Sequence, residues 1–277
     1  MCDRPSFRLA SRRRTGVPLI GLLASLFFST HALAAESPPP VVPLFNGKTL
    51  DGWTAYAREP APAAQNLFEV IDGTLHAYPN AKDGSTQPIG YVVTNAEYAN
   101  YRLSLDYKWG TEKFVPRAEP DMARDAGVLF HVHSPDTIWP AGAECQIQEG
   151  DTGDAWLVHT RATSRVHPDT MGYWPAGHAN GVEVTKGEVP NVYRRFLRYY
   201  CHEQPGWNHV EVVVRGDQAT YYVNGHLVNE VTALKRWDEG TQSWQPLTKG
   251  RILLQAEGAE IYYRNVTIQA LDAPAAN

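Results

Sequence analysis

Along YRLSLDYKW, apolar and polar positions alternate without a break. Tyr101, Leu103, Leu105, Tyr107 and Trp109 share one side, and Arg102, Ser104, Asp106 and Lys108 share the other. That period of two is the pattern of a strand with one face in a core. FEVIDGTLHAY places Asp72-Gly73 between two such runs and ATYYVNGHLVNEV places Asn224-Gly225, both strong two-residue hairpin signals. IGYVVT, AGVLFHV, AECQIQE, AWLVHT, WNHVEVVVRG, GRILLQAE and IYYRNVTIQAL read as further strands, and no stretch shows convincing helical periodicity. A dozen or so short strands with turns between them predict an all-β protein, a jelly-roll β-sandwich of two antiparallel sheets.

Three of these strands carry polar groups on one face. In AECQIQEG, Glu144, Gln146 and Gln148 alternate with Cys145 and Ile147. In AGVLFHVH, His131 and His133 share a face with Leu129, opposite Val128, Phe130 and Val132. In GRILLQAEG, Gln255 and Glu257 lie together. A sandwich turns one face of each sheet to the core and the other to solvent or to a groove. A curved sheet would therefore gather these carboxylates and carboxamides into one hollow, where they can both donate to and accept from sugar hydroxyls.

Composition changes the picture at the N-terminus. Five arginines in residues 1–14 precede an apolar run of about 15 residues, below the roughly 20 needed to span a bilayer, and Ala32-Leu33-Ala34 follows as a small-residue cleavage site. Residues 1–34 are expected to be a signal peptide, with export to the periplasm or the medium and no membrane insertion once it is removed. Residues 35–43 form a proline-rich lead-in, 44–271 a single domain and 272–277 a tail. Losing five arginines and one aspartate takes 25 basic and 30 acidic residues to 20 and 29. An acidic chain of this kind is not expected to bind nucleic acid, which needs basic patches. Cys145 and Cys201 are then the remaining cysteines. They either pair, closing a loop worth roughly 4 kcal/mol in the chain-entropy account, or serve as small buried apolar residues.

Several groups admit two readings. His131 is either a satisfied structural histidine or an acid or base near neutral pH. EGDTGD, residues 149–154, reads as a turn rather than a calcium loop, because its spacing departs from an EF-hand. Neither a zinc spacing such as HExxH nor a Gly-x-Ser-x-Gly elbow is present. Between Trp156 and Trp207 the strand rhythm breaks into RATSRVHPDTMGYWPAGHANG and NVYRRFLRYYCHEQPGW, read as loops. Trp156, Tyr173 and Trp174 there either stack on sugar rings, the expected reading, or pack the loops against the sandwich.

FNGKTLDGW, AGVLFHV, AECQIQEGD, WNHVEVVVRGDQATYYVNGHLV and GRILLQAEGAEIYYRNVTI, in this order, resemble the 3-keto-disaccharide hydrolase domain family. The resemblance implies a concanavalin A-like lectin/glucanase fold and a saccharide substrate. It carries the family's Glu-x-Gln onto Glu144 and Gln146, its Leu-Gln onto Leu254 and Gln255, and its Arg-Asn onto Arg264 and Asn265. Ala126, His131 and Glu257 depart from the family's usual Ser or Asn, Arg and His, which leaves the acid and base assignment open. A ring ketone acidifies the neighbouring carbon and places the glycosidic oxygen as a leaving group β to the carbonyl. Elimination followed by hydration then needs a base, an acid and donors to an enolate. Glu144 is the expected base, His131 or Glu257 the acid, and Gln146, Gln255 and Arg124 the donors, unless a divalent metal takes that last task. Direct hydrolysis by Glu144 and Glu257, as carboxylates about 5 to 10 Å apart, is the competing mechanism. A lectin-like carbohydrate-binding module without chemistry is the alternative function.

Overall fold

A computed structural model of the chain describes residues 38–58 and 67–273. The expected signal peptide and the last four residues of the tail lie outside them. Eighteen strands follow one another: β1 Val41–Pro43, β2 Trp53–Ala57, β3 Phe68–Ile71, β4 Thr74–Ala77, β5 Gly90–Thr94, β6 Tyr101–Lys113, β7 Asp125–Val132, β8 Gly142–Gln148 and β9 Ala155–Val158. Then come β10 Thr160–Val166, β11 Val182–Lys186, β12 Tyr193–Phe196, β13 Asn208–Arg215, β14 Gln218–Val223, β15 His226–Asp238, β16 Ser243–Pro246, β17 Arg251–Ala256 and β18 Ala259–Ala270.

They form two sheets in which the paired strands run antiparallel. The larger has eleven strands in the order β11-β10-β15-β14-β13-β6-β18-β4-β3, with β1 along β18 and β16 along β15. The smaller has seven, in the order β12-β9-β8-β7-β17-β5-β2. The crossovers between sheets are those of a jelly-roll sandwich, as expected. Among the described residues no helix is long and apolar enough to cross a membrane.

The alternation seen in the sequence builds the core. Tyr101, Leu103, Leu105 and Tyr107 of β6 face Val128 and Phe130 of β7, Cys145 and Ile147 of β8 and Leu254 of β17, all buried in one apolar cluster. Cys145 is thus a packing residue, whereas Cys201 is exposed, and both thiols are free. Both hairpin signals hold. Asp72 and Gly73 have φ of 48° and 77°, and Asn224 and Gly225 have 49° and 80°. Two positive φ values in a row give the turn twist that antiparallel strands require.

Two boundaries move. The last three residues of the proline-rich lead-in form β1, paired with β18 through Val42 and Ile268. The region read as loops after Trp156 holds three strands, β10, β11 and β12. Thr160, Ala162, Ser164 and Val166 of β10 are buried and alternate with half-buried Arg161, Thr163 and Arg165. The buried members of that pattern are too small or too polar to mark a strand by hydrophobicity alone.

Candidate active site

The outer face of the smaller sheet carries an open cavity of about 590 Å³, whose polar residues stand in register across neighbouring strands. Gln146 of β8 pairs with Gly127 of β7, and Gln148 pairs with Asp125. Glu144 pairs with Trp156 of β9, which in turn pairs with Arg195 of β12. On the other side of β7, Gln255 of β17 and Glu257 just beyond it complete the polar set. Glu144 and Gln255, on strands separated by β7, therefore enter one hollow.

Gly127 is the floor of that hollow. A Cβ there would fall inside the van der Waals radius of Glu144 Oε1 and lie 2.6 Å from Gln255 Oε1. Glu144 and Gln255 fold across the bare backbone of β7 from opposite sides, leaving only 5% and 3% of their surfaces exposed. Gln255 Oε1 has no hydrogen-bond partner. A protonated Glu144 carboxyl would supply the missing donor.

Three carboxyl groups share the site. Gln146 Nε2 and Gln148 Nε2 donate to the two oxygens of Asp125, at 3.0 and 2.9 Å. Arg117 Nη2 pairs with Asp125 and lies 3.3 Å from Glu257 Oε1. Burial, opposed by Arg117, pushes Asp125 up to about 7, with the nearby Glu257 adding to the rise. Burial also raises Glu257, although Arg117 holds it back. Glu144 is raised well above the ordinary carboxylate range, first by burial and then by the charges of Asp125 and Glu257, and only a hydrogen bond with the Gln255 side chain opposes the shift. Burial thus favours a proton on Glu144 most strongly, while Arg117 favours charge on the other two.

One wall of the cavity is aromatic. Trp156 carries a buried indole N–H with no partner, and the Arg195 guanidinium lies 5.3 Å from its ring centre. Trp139 and Tyr193 line the same side. Trp139 belongs to the segment between β7 and β8, fastened by Tyr91 Oη donating to the Thr137 carbonyl at 3.1 Å and by Arg251 pairing with Asp136 at 2.7 Å.

Of the residues expected at the site, the structure brings together Glu144, Glu257, Gln146, Gln255 and Trp156, and it separates four. His131 turns into the core. A β-bulge, seen as the jump from the Arg251–Val132 pair to the Leu253–Leu129 pair, accompanies φ of 52° at His131 and puts its ring beside Phe130 and Tyr101. There His131 Nε2 donates to the Gly216 carbonyl at 3.0 Å. It is a structural histidine, and its role as an acid is withdrawn. Arg124 points away from the cavity, 3.8 Å from Glu149, and Arg117 stands where it was expected. Tyr173 and Trp174 line a separate cavity. Arg264 and Asn265 lie on the larger sheet, where both bond to Asp106.

The sequence reading missed Asp125, Arg117, Trp139, Tyr193 and Arg195. Asp125 was within reach, since it precedes Gly127 by two positions on the face that carries the site. Arg117 and Trp139 arrive on irregular segments whose spacing announces nothing. EGDTGD folds as the expected turn. Its Asp154 accepts from the Arg198 backbone N–H at 2.8 Å and lies 3.4 Å from Arg195 Nη1.

His131 yields a test. Burial lowers it to about 4, so the folded state prefers the neutral ring. The stability this gives is complete above the unfolded value near 6.5 and is lost as pH falls towards 4. Between pH 7 and pH 4, wild type is expected to lose about 3 kcal/mol relative to His131→Leu in denaturant unfolding. Equal losses in the two proteins would place the titration elsewhere.

The molecule is thus an antiparallel jelly roll with an acid-lined, aromatic-walled cleft on its smaller sheet. The sequence matches the family described as the 3-keto-alpha-glucoside-1,2-lyase-like domain over residues 40–269. This chain belongs to that family. Among curated proteins there is no match. Its structure is similar to a putative glycosyl hydrolase from Parabacteroides distasonis, with 20% identity, a TM-score of 0.49 and coverage of 84% of this chain and 94% of that one. A β-glucanase from Bacillus licheniformis is similar at 12% identity and a TM-score of 0.44, over 86% of this chain and 100% of the other. A carbohydrate-binding module from Bacillus subtilis is similar at 13% and 0.42, over 79% and 96%.

Proposed function

We propose that this chain cleaves the glycosidic bond of 3-keto-glycosides, including 3-keto-disaccharides, by elimination and hydration. The observation that carries the reading is the gathering of Glu144, Asp125 and Glu257 in one cleft, with Arg117 bridging the last two. The differing environments separate the carboxyl groups into proton donor and proton acceptor. Glu144, the most deeply buried and without a cation, enters the reaction protonated. Glu257, supported by Arg117 and nearer to solvent, enters charged. These roles reverse the assignment expected from sequence for Glu144.

In the first step Glu257 takes the proton from C2, next to the ring ketone, and the C–H electron pair moves into the enolate. The indole N–H of Trp156 and the carboxamide of Gln255 are the available donors to the charge that develops on the ketone oxygen. The enolate then expels the glycosidic oxygen from C1, and Glu144 delivers its proton to it. Water adds across the C1–C2 double bond to give the free 3-keto-sugar. A divalent metal does not fit the residues present. Among the described residues no three His, Cys, Asp or Glu side chains form a ligand set, and the Arg117 guanidinium already bridges Asp125 and Glu257.

A substrate deuterated at C2 separates elimination from direct displacement. A primary isotope effect and washout of the label into water are expected. Full retention of deuterium in the product would favour direct hydrolysis by Glu144 and Glu257, and saturable sugar binding without product would make the domain a binding module. The arginine-rich leader and Ala32-Leu33-Ala34 support export to the periplasm or beyond. Cell fractionation together with the N-terminal sequence of the mature protein tests that expectation.

A further inference from the structure

We propose that the cavity between Trp174 and Tyr200 is a second saccharide-binding site, separate from the cleft. It has a volume of about 370 Å³ and is lined by Tyr173, Trp174, Tyr199, Tyr200, Thr170 and Arg198, among others. None of these residues lines the cleft. Four aromatic side chains thus surround a single opening. Trp174 and Tyr199 meet edge to face with centroids 5.3 Å apart, and Tyr199 and Tyr200 with centroids 4.3 Å apart. The geometry is fixed from behind. Trp174 Nε1 donates to the Ala179 carbonyl at 2.7 Å, and Arg165 Nη1 holds the carbonyls of Trp174 and Pro175 at 2.9 and 2.8 Å. Tyr200 at the rim is left 59% exposed.

The charges select the ligand class. Arg198 lines this opening with its charge already met by Asp154 at 3.0 Å and Asp151 at 2.8 Å, so neither an anion nor a cation finds an unpaired counter-charge there. What remains is a neutral molecule with an apolar face and a hydroxylated rim, which is the chemistry of a pyranose ring lying on tyrosine and tryptophan. The same two aspartates also hold Arg195 on the cleft wall, at 3.4 and 3.7 Å. Both sites are therefore mounted on one turn, EGDTGD, and an oligosaccharide held at the second site is kept beside the first. The inference rests on membership of a carbohydrate-active family and not on the reaction proposed for the cleft.

Titration of the full chain with maltopentaose, cellopentaose and laminaripentaose, followed by NMR or calorimetry, tests it. Binding of at least one pentasaccharide is expected to weaken roughly tenfold in Tyr200→Ala, the upper end of what one aromatic contact contributes. Turnover of a 3-keto-disaccharide is expected to be unchanged in the same variant. Tyr200 bears no backbone-fixing bond, and Trp174→Phe, which keeps an aromatic ring but gives up the bond to the Ala179 carbonyl, is expected to weaken pentasaccharide binding as well. Absence of pentasaccharide binding that depends on Tyr200 would overturn the proposal, as would an equal loss of disaccharide turnover. If the cleft proves inert towards 3-keto-sugars, Tyr200-dependent binding still supports the second site.

Discussion

Glu144→Gln is expected to lower kcat on a 3-keto-disaccharide by about 10³-fold, within the usual range for loss of a general acid or base, while leaving the fold intact. The carboxamide copies the protonated carboxyl in shape, and burial already holds Glu144 in its neutral form, so the substitution removes a transferable proton without removing a buried charge. The loss should depend on the leaving group. A 3-keto-glycoside of a nitrophenol departs without protonation, and on that substrate the variant is expected to recover most of its rate. Glu257→Gln removes the base and is expected to be slow on both substrates. Steady-state kinetics with the two substrates and the two variants decides the roles. An equal loss by Glu144→Gln on both would return Glu144 to the part of base, and undiminished activity would remove it from the mechanism.

The sheets were legible in the sequence because alternation is a direct record of burial. Tyr101 to Trp109, the Asp72-Gly73 and Asn224-Gly225 turns and the polar row of β8 all lie as their periodicity requires. The same arithmetic failed at His131, where one extra residue in β7 reverses every face beyond it. No composition signal marks a bulge, so an apparently polar face ended inside the core. β10 hides its alternation in Thr, Ser and Arg, and β12, four residues long and largely exposed, shows none. With β12 went Arg195 and Tyr193, one of the three aromatic side chains that line the cleft. Arg117 is the deepest omission. It reaches Asp125 and Glu257 from a segment with no regular pattern, yet it is the group that separates three otherwise similar carboxyls into acid and base.

That dependence on a shared floor leads to a second large effect, at a residue that carries no chemistry. Gly127→Ala is expected to reduce kcat by about 10²-fold, the cost of misplacing reactive groups by an ångström or so, with little change in thermal stability. The three atoms nearest the added methyl belong to the side-chain ends of Glu144 and Gln255, and none is a backbone atom. Gly127 lacks the positive φ that would strain an alanine, and the entropy that glycine loses on folding favours the replacement by about 0.4–1 kcal/mol. The fold can therefore accept the methyl, but Glu144 and Gln255 must leave the floor. The Glu144 proton would then no longer face the glycosidic oxygen, and the buried Gln255 oxygen would lose its donor. Measuring kcat, KM and the melting temperature of Gly127→Ala alongside Glu144→Gln discriminates the cases. A folded variant with wild-type kcat would mean that the carboxyl does not act from over β7. A variant that melts much earlier would mean that the floor serves the sheet rather than the site.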